Sequence, residues 1–247
     1  TSIRTWELGP NGWRDLTPTT PTPPPANDHR FIYDPIGQRL VFMTRPFSGW
    51  LTWEFIGSRW RPLAATPYSQ SGVVFAFDDR LQALVMMGGI GFTGPATSQT
   101  AKLVGDAWVA IPVPSFVPGR SSHELAYDPE RRRLVACGGY SGGTSIYTRD
   151  CWAFDDSGWR ALEAPPAELL TGSASMVFDP ASRKLMMVGG NTSDTWLLDG
   201  DVWVRRVAPI DFLPRTLPPL AWDPSHGRML LVGGLATPDG GATIGLN

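Results

Sequence analysis

Apolar residues in this sequence gather into short segments, and the same order of segments returns five times along the chain. The clearest copy is residues 121–160. A half-apolar segment, HELAYD, runs into Asp-Pro; a continuous apolar one, RLVAC, runs into Gly-Gly; after a loop come CWAFD and GWRAL, each with a tryptophan. Segments this short, bounded by turn-forming residues, read as strands. No window holds a sustained helical period, and a single helical turn at 166–170 is the only candidate for one. Each copy therefore predicts four strands in sequence.

Fixed spacing turns this pattern into an architecture. The aspartates that close the first strand, Asp34, Asp78, Asp128, Asp179 and Asp223, recur at intervals of 44, 50, 51 and 44 residues. Tyr33, Phe77, Tyr127, Phe178 and Trp222 precede them. The second strands read RLVFM, ALVMM, RLVAC, KLMMV and RMLLV, apolar throughout, as strands covered on both faces must be. Four of these end in Gly-Gly, at 88–89, 138–139, 189–190 and 233–234, whereas the first copy has Thr44-Arg45. Tryptophans seven residues apart mark the third and fourth strands: Trp6 and Trp13, Trp53 and Trp60, Trp152 and Trp159, Trp196 and Trp203. In the second copy Ala101 stands with Trp108.

An apolar run ending in Gly-Gly with a tryptophan further on, at this period, resembles the kelch repeat. The resemblance covers nearly the whole chain and implies an all-β fold, a β-propeller of four-stranded antiparallel blades. The ends imply how many. The chain starts with a third and fourth strand and stops after a first and second, so residues 1–16 and 216–247 together make one blade, beside blades at 28–66, 71–114, 121–165 and 172–209. The expectation is a five-bladed ring forming a single domain over 1–247, closed where the N-terminal strands complete the C-terminal blade.

Composition narrows the partners. With 27 Gly and 24 Pro among 247 residues the chain is rich in turns, and a net charge of −2 offers no basic field for nucleic acid. No apolar segment approaches the ~20 residues that cross a bilayer. The sequence opens on Thr1 without a visible signal peptide, which fits a removed leader or a domain of a larger polypeptide or assembly. Cys137 and Cys151 fall opposite each other in a strand pair, as a disulfide that would favour an exported protein or as two buried thiols. The proline-rich stretch 17–28 reads as a stiff polyproline connection.

Repetition also sorts structural residues from candidate functional ones. The Asp-Pro positions suit tight turns, and ten of the 11 tryptophans have a packing place in the repeat. Trp50 is the one left over. It lies with Arg45 and Phe47 in the loop of the first copy, where Gly-Gly is missing, on the face expected to bind ligands. The first strands bring Arg30, Asp28 and Glu124 to the mouth of the axial channel, beside His29 and His123. Phe92, Tyr140 and Tyr147 lie on the long Gly- and Ser-rich loops of the second and third copies. Three readings fit the channel cluster: an Arg30–Glu124 ion pair that plugs the axis; ligand recognition by Arg30 and the carboxylates, with aromatic stacking by Trp50, Phe92, Tyr140 or Tyr147; or catalysis with Glu124 and Asp28 as paired carboxylates and Arg30 orienting the substrate.

No cofactor or metal is expected. Three histidines and two strand-bound cysteines do not make a zinc or copper centre, and Gly-Gly pairs that close strands do not make a phosphate loop. The expected function is a non-enzymatic binding module for a protein or glycan, using the loops of blades one to three. The alternative is a hydrolase or isomerase acting on a carbohydrate or other small polar substrate at the channel mouth.

Overall fold

The computed structural model describes residues 3–18, 21–26, 29–46, 49–68, 71–91, 94–141, 147–166, 169, 174–190, 192–207, 214–216, 219–236 and 244–245. It contains strands and turns, and no helix among those residues. After a hairpin of β1 (Trp6–Gly9) and β2 (Gly12–Asp15) come four antiparallel sheets of four strands, each a simple meander. The first holds β3 (His29–Asp34), β4 (Arg39–Thr44), β5 (Leu51–Ile56) and β6 (Arg59–Pro62). The second holds β7 (Val74–Asp78), β8 (Ala83–Met87), β9 (Thr100–Val104) and β10 (Ala107–Ile111). The third holds β11 (Glu124–Asp128), β12 (Arg133–Cys137), β13 (Cys151–Asp155) and β14 (Gly158–Leu162). The fourth holds β15 (Ala174–Asp179), β16 (Lys184–Gly189), β17 (Thr195–Asp199) and β18 (Val202–Arg206). The C-terminal part forms β19 (Arg215–Thr216), β20 (Leu220–Asp223), β21 (Arg228–Leu231), β22 (Leu235–Ala236) and β23 (Ile244–Gly245).

Sheets stack face to face through apolar side chains, while their first strands lie side by side: β3 by β7, β7 by β11, β11 by β15, β15 by β20. This is the radial arrangement of a β-propeller. Met43, Trp50, Met86 and Leu103 join the first sheet to the second; Val85, Met87, Leu125 and Trp159 join the second to the third; Cys137, Met176, Met187 and Trp203 join the third to the fourth. Met186 and Leu197 of the fourth sheet reach Leu220 and Leu231 of the β20–β21 pair. Among the described residues no ladder joins that pair to the β1–β2 hairpin.

The turns after the first strands, Asp-Pro in four copies and Asp78-Asp79 in the second, behave as their sequence implies. Asp34 accepts the amides of Ile36 and Gly37, Asp78 those of Arg80 and Leu81, and Asp179 those of Ala181 and Ser182, at 2.8–3.2 Å. Four residues after each Asp the backbone takes a positive φ, at Gln38, Gln82, Arg132, Arg183 and Gly227. That left-handed residue lets the chain turn back within a short loop. Asp128 and Arg133 are both wholly buried and paired, and Arg133 continues to Asp201 in the next hairpin of the sheet beyond. His226 belongs to such a turn, its Nδ1 2.7 Å from Asp223.

Cys137 and Cys151 pair directly across β12 and β13, with Cα atoms 4.2 Å apart, and form a disulfide. Of the two readings left open by the sequence, the bridge is the one adopted. The turn expected at 166–170 is represented by one bond, Leu169 N–H to the Pro166 carbonyl; most of that stretch lies outside the described residues.

Candidate functional site

Glu124 begins β11, the first strand of the third sheet. Its carboxylate accepts the backbone N–H of Met176 at 3.0 Å, tying the first strands of the third and fourth sheets together. Burial pushes its pKa up to about 7, against the opposing pull of the Met176 amide and the Arg30 charge. Arg30, on β3, donates to the His29 carbonyl at 2.8 Å. The expected Arg30–Glu124 ion pair is not among the pairs of the described residues: the bond partner of Glu124 is a neighbouring strand, and the Arg30 charge lowers its pKa from a distance. Asp28, the other half of the carboxylate pair, lies outside the described residues.

A carboxyl with a raised pKa has a defined effect on stability. Below about pH 4.5, the ordinary glutamate value, Glu124 carries its proton whether folded or unfolded. As the pH rises toward 7, the unfolded chain releases that proton while the folded one keeps it, so stability falls; above 7 the loss is complete and constant. Glu124→Gln keeps the acceptor for Met176 and removes the charge. Its stability relative to the parent is expected to grow between pH 4.5 and 7 and to level off above, in thermal melts across that range; a pH-independent difference would contradict the assignment.

His123 is a correction. It was expected beside the channel mouth as a ligand contact, yet it is 2% exposed, wedged between the second and third sheets. A Cβ on Gly88 would lie 2.7 Å from its Cε1, and one on Gly139 2.6 Å from its Cβ. The two Gly-Gly turns thus leave room for this ring, and φ values of +75° and +95° suit glycine as well. Burial, with the Arg120 charge, holds the imidazole well below its usual pKa, so it stays neutral.

Arg120, which the sequence analysis passed over, is wholly buried. It donates to the Gly138 carbonyl at 3.1 Å and to the Asp150 carboxylate at 2.9 Å. Arg215, at the same distance ahead of its own Asp-Pro turn, reaches the Gly233 carbonyl in the same way, also at 3.1 Å. An arginine eight residues before the turn aspartate was the available signal. These are clamps on Gly-Gly turns, and they belong to the framework.

Trp50 is the second correction. It was expected to stand on the ligand face, and its exposure is 0%. After Gly49, at φ +92°, the side chain enters the interface between the first two sheets and meets Phe75 edge-on at 5.5 Å. Phe47 and Phe92 lie outside the described residues. Arg45 is half-buried.

What remains at the surface is a pair of tyrosines. Tyr140 bridges Ser121 and Tyr147, with ring centroids of the two tyrosines 6.2 Å apart, and Tyr147 is 47% exposed. The second-sheet loop runs alongside: Ala96 N–H bonds the Ser141 carbonyl at 2.9 Å, Thr97 N–H bonds Gly89 at 2.9 Å, and Arg120 N–H bonds Thr97 at 3.0 Å. The described parts of the two long loops are therefore fastened to one another and to the framework, presenting a fixed surface.

No protein-family model matches this sequence, and no curated protein matches it either. Among solved structures, one titled "Structure of YjhT" superposes with a TM-score of 0.66 at 17% sequence identity, over 87% of this chain and 74% of that one. At that identity the likeness speaks to the fold alone.

Proposed function

We propose that this chain is a kelch-like, five-bladed propeller that serves as a non-enzymatic binding module for a protein or glycan, using the loops of the first three sheets. The observation that carries the reading is the Tyr140–Tyr147 ledge, an aromatic surface held on loops that are hydrogen-bonded to each other. Aromatic rings fixed in advance bind with little entropy lost on ordering, which favours sugar faces and peptide side chains alike. Tyr147→Ala and Arg45→Ala, tested on a printed glycan array and against purified candidate proteins, are expected to lower ligand capture at least tenfold with the melting temperature unchanged. Capture equal to the parent's in both variants would end this reading.

The reading of five blades in a closed ring is supported by which faces lie bare. Phe31 and Tyr33 are 57% and 54% exposed on β3, whereas Phe75 and Phe77, Leu125 and Tyr127, and Met176 and Phe178 pack against the preceding sheet from the same repeat positions. On β21 and just beyond it, Leu230 and Val232 are exposed, while Val85 and Met87, and Val135 and Cys137, are buried at the same positions. The two bare faces belong to the two ends of the array and are the complementary sides of one blade-to-blade interface. The β1–β2 hairpin is already tethered beside the first sheet, where Trp60 Nε1 donates to Thr5 Oγ1 at 2.7 Å. Joined to β20–β21, it makes the fifth blade.

Glu124 favours a second reading, a hydrolase or isomerase of a carbohydrate or other small polar substrate. A carboxyl with a pKa of about 7 can give and take a proton near neutrality. Under this reading Glu124→Gln abolishes conversion across a panel of sugars followed by their anomeric NMR signals. Conversion retained in that variant excludes it.

A further inference from the structure

His123 is enclosed where two sheets meet, and its surroundings suit only one of its protonation states. The imidazole lies between Gly88 of the second sheet and Gly139 of the third, so closely that a side chain on either glycine would collide with it. Nδ1 and Nε2 are both buried without a hydrogen-bond partner. An imidazolium has two N–H groups to satisfy and a charge to balance, and this space answers neither need.

The charge that acts on the imidazole is of the wrong sign, that of Arg120. The carboxylates on the neighbouring stretches are engaged elsewhere: Asp150 accepts from Arg120 and from the Trp152 indole, and Glu124 accepts the Met176 amide. On the second sheet, Lys102 stands opposite Val85, further along the ladder from the Gly88–Gly89 turn, which itself carries no charge. A protonated His123 would therefore be a buried cation beside a second one.

The same few residues fasten both long loops. Gly89 N–H bonds the Arg120 carbonyl at 2.8 Å, Ser121 and Tyr140 exchange backbone bonds at 2.9 and 2.8 Å, and Thr148 N–H bonds the Gly139 carbonyl at 2.9 Å. We propose that His123 is a pH-sensitive pin: its uptake of a proton in mildly acid solution opens the contact between the Gly88 and Gly139 turns and loosens the loops that carry Tyr140 and Tyr147. The sign follows from linkage. Well above pH 6.5, the ordinary histidine value, the imidazole is neutral whether enclosed or released. As the pH falls through that value a released imidazole takes up a proton that the enclosed one refuses, so the open state gains, by ~30-fold between about pH 7.5 and pH 5. Glu124 works in the opposite direction over this range, because its carboxyl holds a proton more readily when buried. The loosening stands without the binding role proposed for the tyrosine ledge; release of a ligand on acidification rests on that role.

The test is amide hydrogen exchange at about pH 7.5 and pH 5, corrected for intrinsic exchange rates, on Glu124→Gln protein, which is free of the opposing carboxyl. No ligand is present, so the result is independent of whether the ledge binds one. The opening equilibria of the Gly89, Ser121, Tyr140 and Thr148 amides are expected to rise at least about fivefold at the lower pH, toward the ~30-fold limit, while amides in the β16–β17 ladder stay level. Adding His123→Phe, or His123→Gln where the larger ring does not fold, removes the rise and leaves the other histidines in place. A smaller rise in the Glu124→Gln protein overturns the proposal, and so does a rise that persists in a folded His123 variant or is equal in the β16–β17 ladder.

Discussion

Trp50→Ala is expected to lower the unfolding free energy by about 3–5 kcal/mol, the cost of emptying a large buried aromatic site. The side chain is wholly enclosed in the cluster of Val41, Met43, Val73, Met86 and Leu103, where the first two sheets meet. Its backbone carbonyl also accepts the Thr66 amide at 3.1 Å, fastening the chain that leaves the first sheet for the second. Trp50→Phe keeps part of the packing and loses less. Urea denaturation followed by circular dichroism measures both. A loss below about 0.5 kcal/mol, the usual cost of a surface substitution, would mean that Trp50 stands outside the interface after all.

That residue also marks where sequence reasoning reached its limit. The five-fold pattern made the strands, their order and the turn aspartates legible, because each depends on local chemistry repeated in register: Asp-Pro for the turn, an apolar run for a strand covered on both sides, Gly-Gly for a positive φ. Asp34, Asp78 and Asp179 all do at the turns what their positions imply. Trp50 follows none of these rules. It fills a space created jointly by two sheets, and a residue outside the repeat has no counterpart from which its direction can be read. Arg120 and His123 were obscure for a similar reason. His123 was legible as a titratable side chain near the ligand face, but the space that encloses it is left by glycines of two neighbouring sheets, and Arg120 was not singled out at all. The site was thus legible as a region and not as a set of side chains. Of the expected ligand residues in the described part, Tyr147 is the most open, while Trp50 and His123 are enclosed.

Closure of the ring makes the other large prediction. Phe31→Asp is expected to cost about 3 kcal/mol or more if the fifth blade seats against β3, because a carboxylate then replaces an aromatic ring in a dry interface. The same repeat position is filled by Phe75, Leu125 and Met176 in the next three sheets, all packed into an inter-sheet cluster or beside one. On an open array the residue faces water, and the substitution stays within about 0.5 kcal/mol. Ile36→Asp is the matched control: Ile36 is 55% exposed in the first turn, away from any blade interface, and is expected to be nearly silent under both arrangements. Val232→Asp, on the opposite bare face, supplies the partner. Each single substitution would already break the closed interface, so the double variant should cost clearly less than the two added together. Strict additivity, with both singles near zero, would show that the array does not close on itself. A large loss at both positions with coupling between them would require the two ends to meet, and the tethering of Thr5 to Trp60 would give the N-terminal hairpin a short path for doing so.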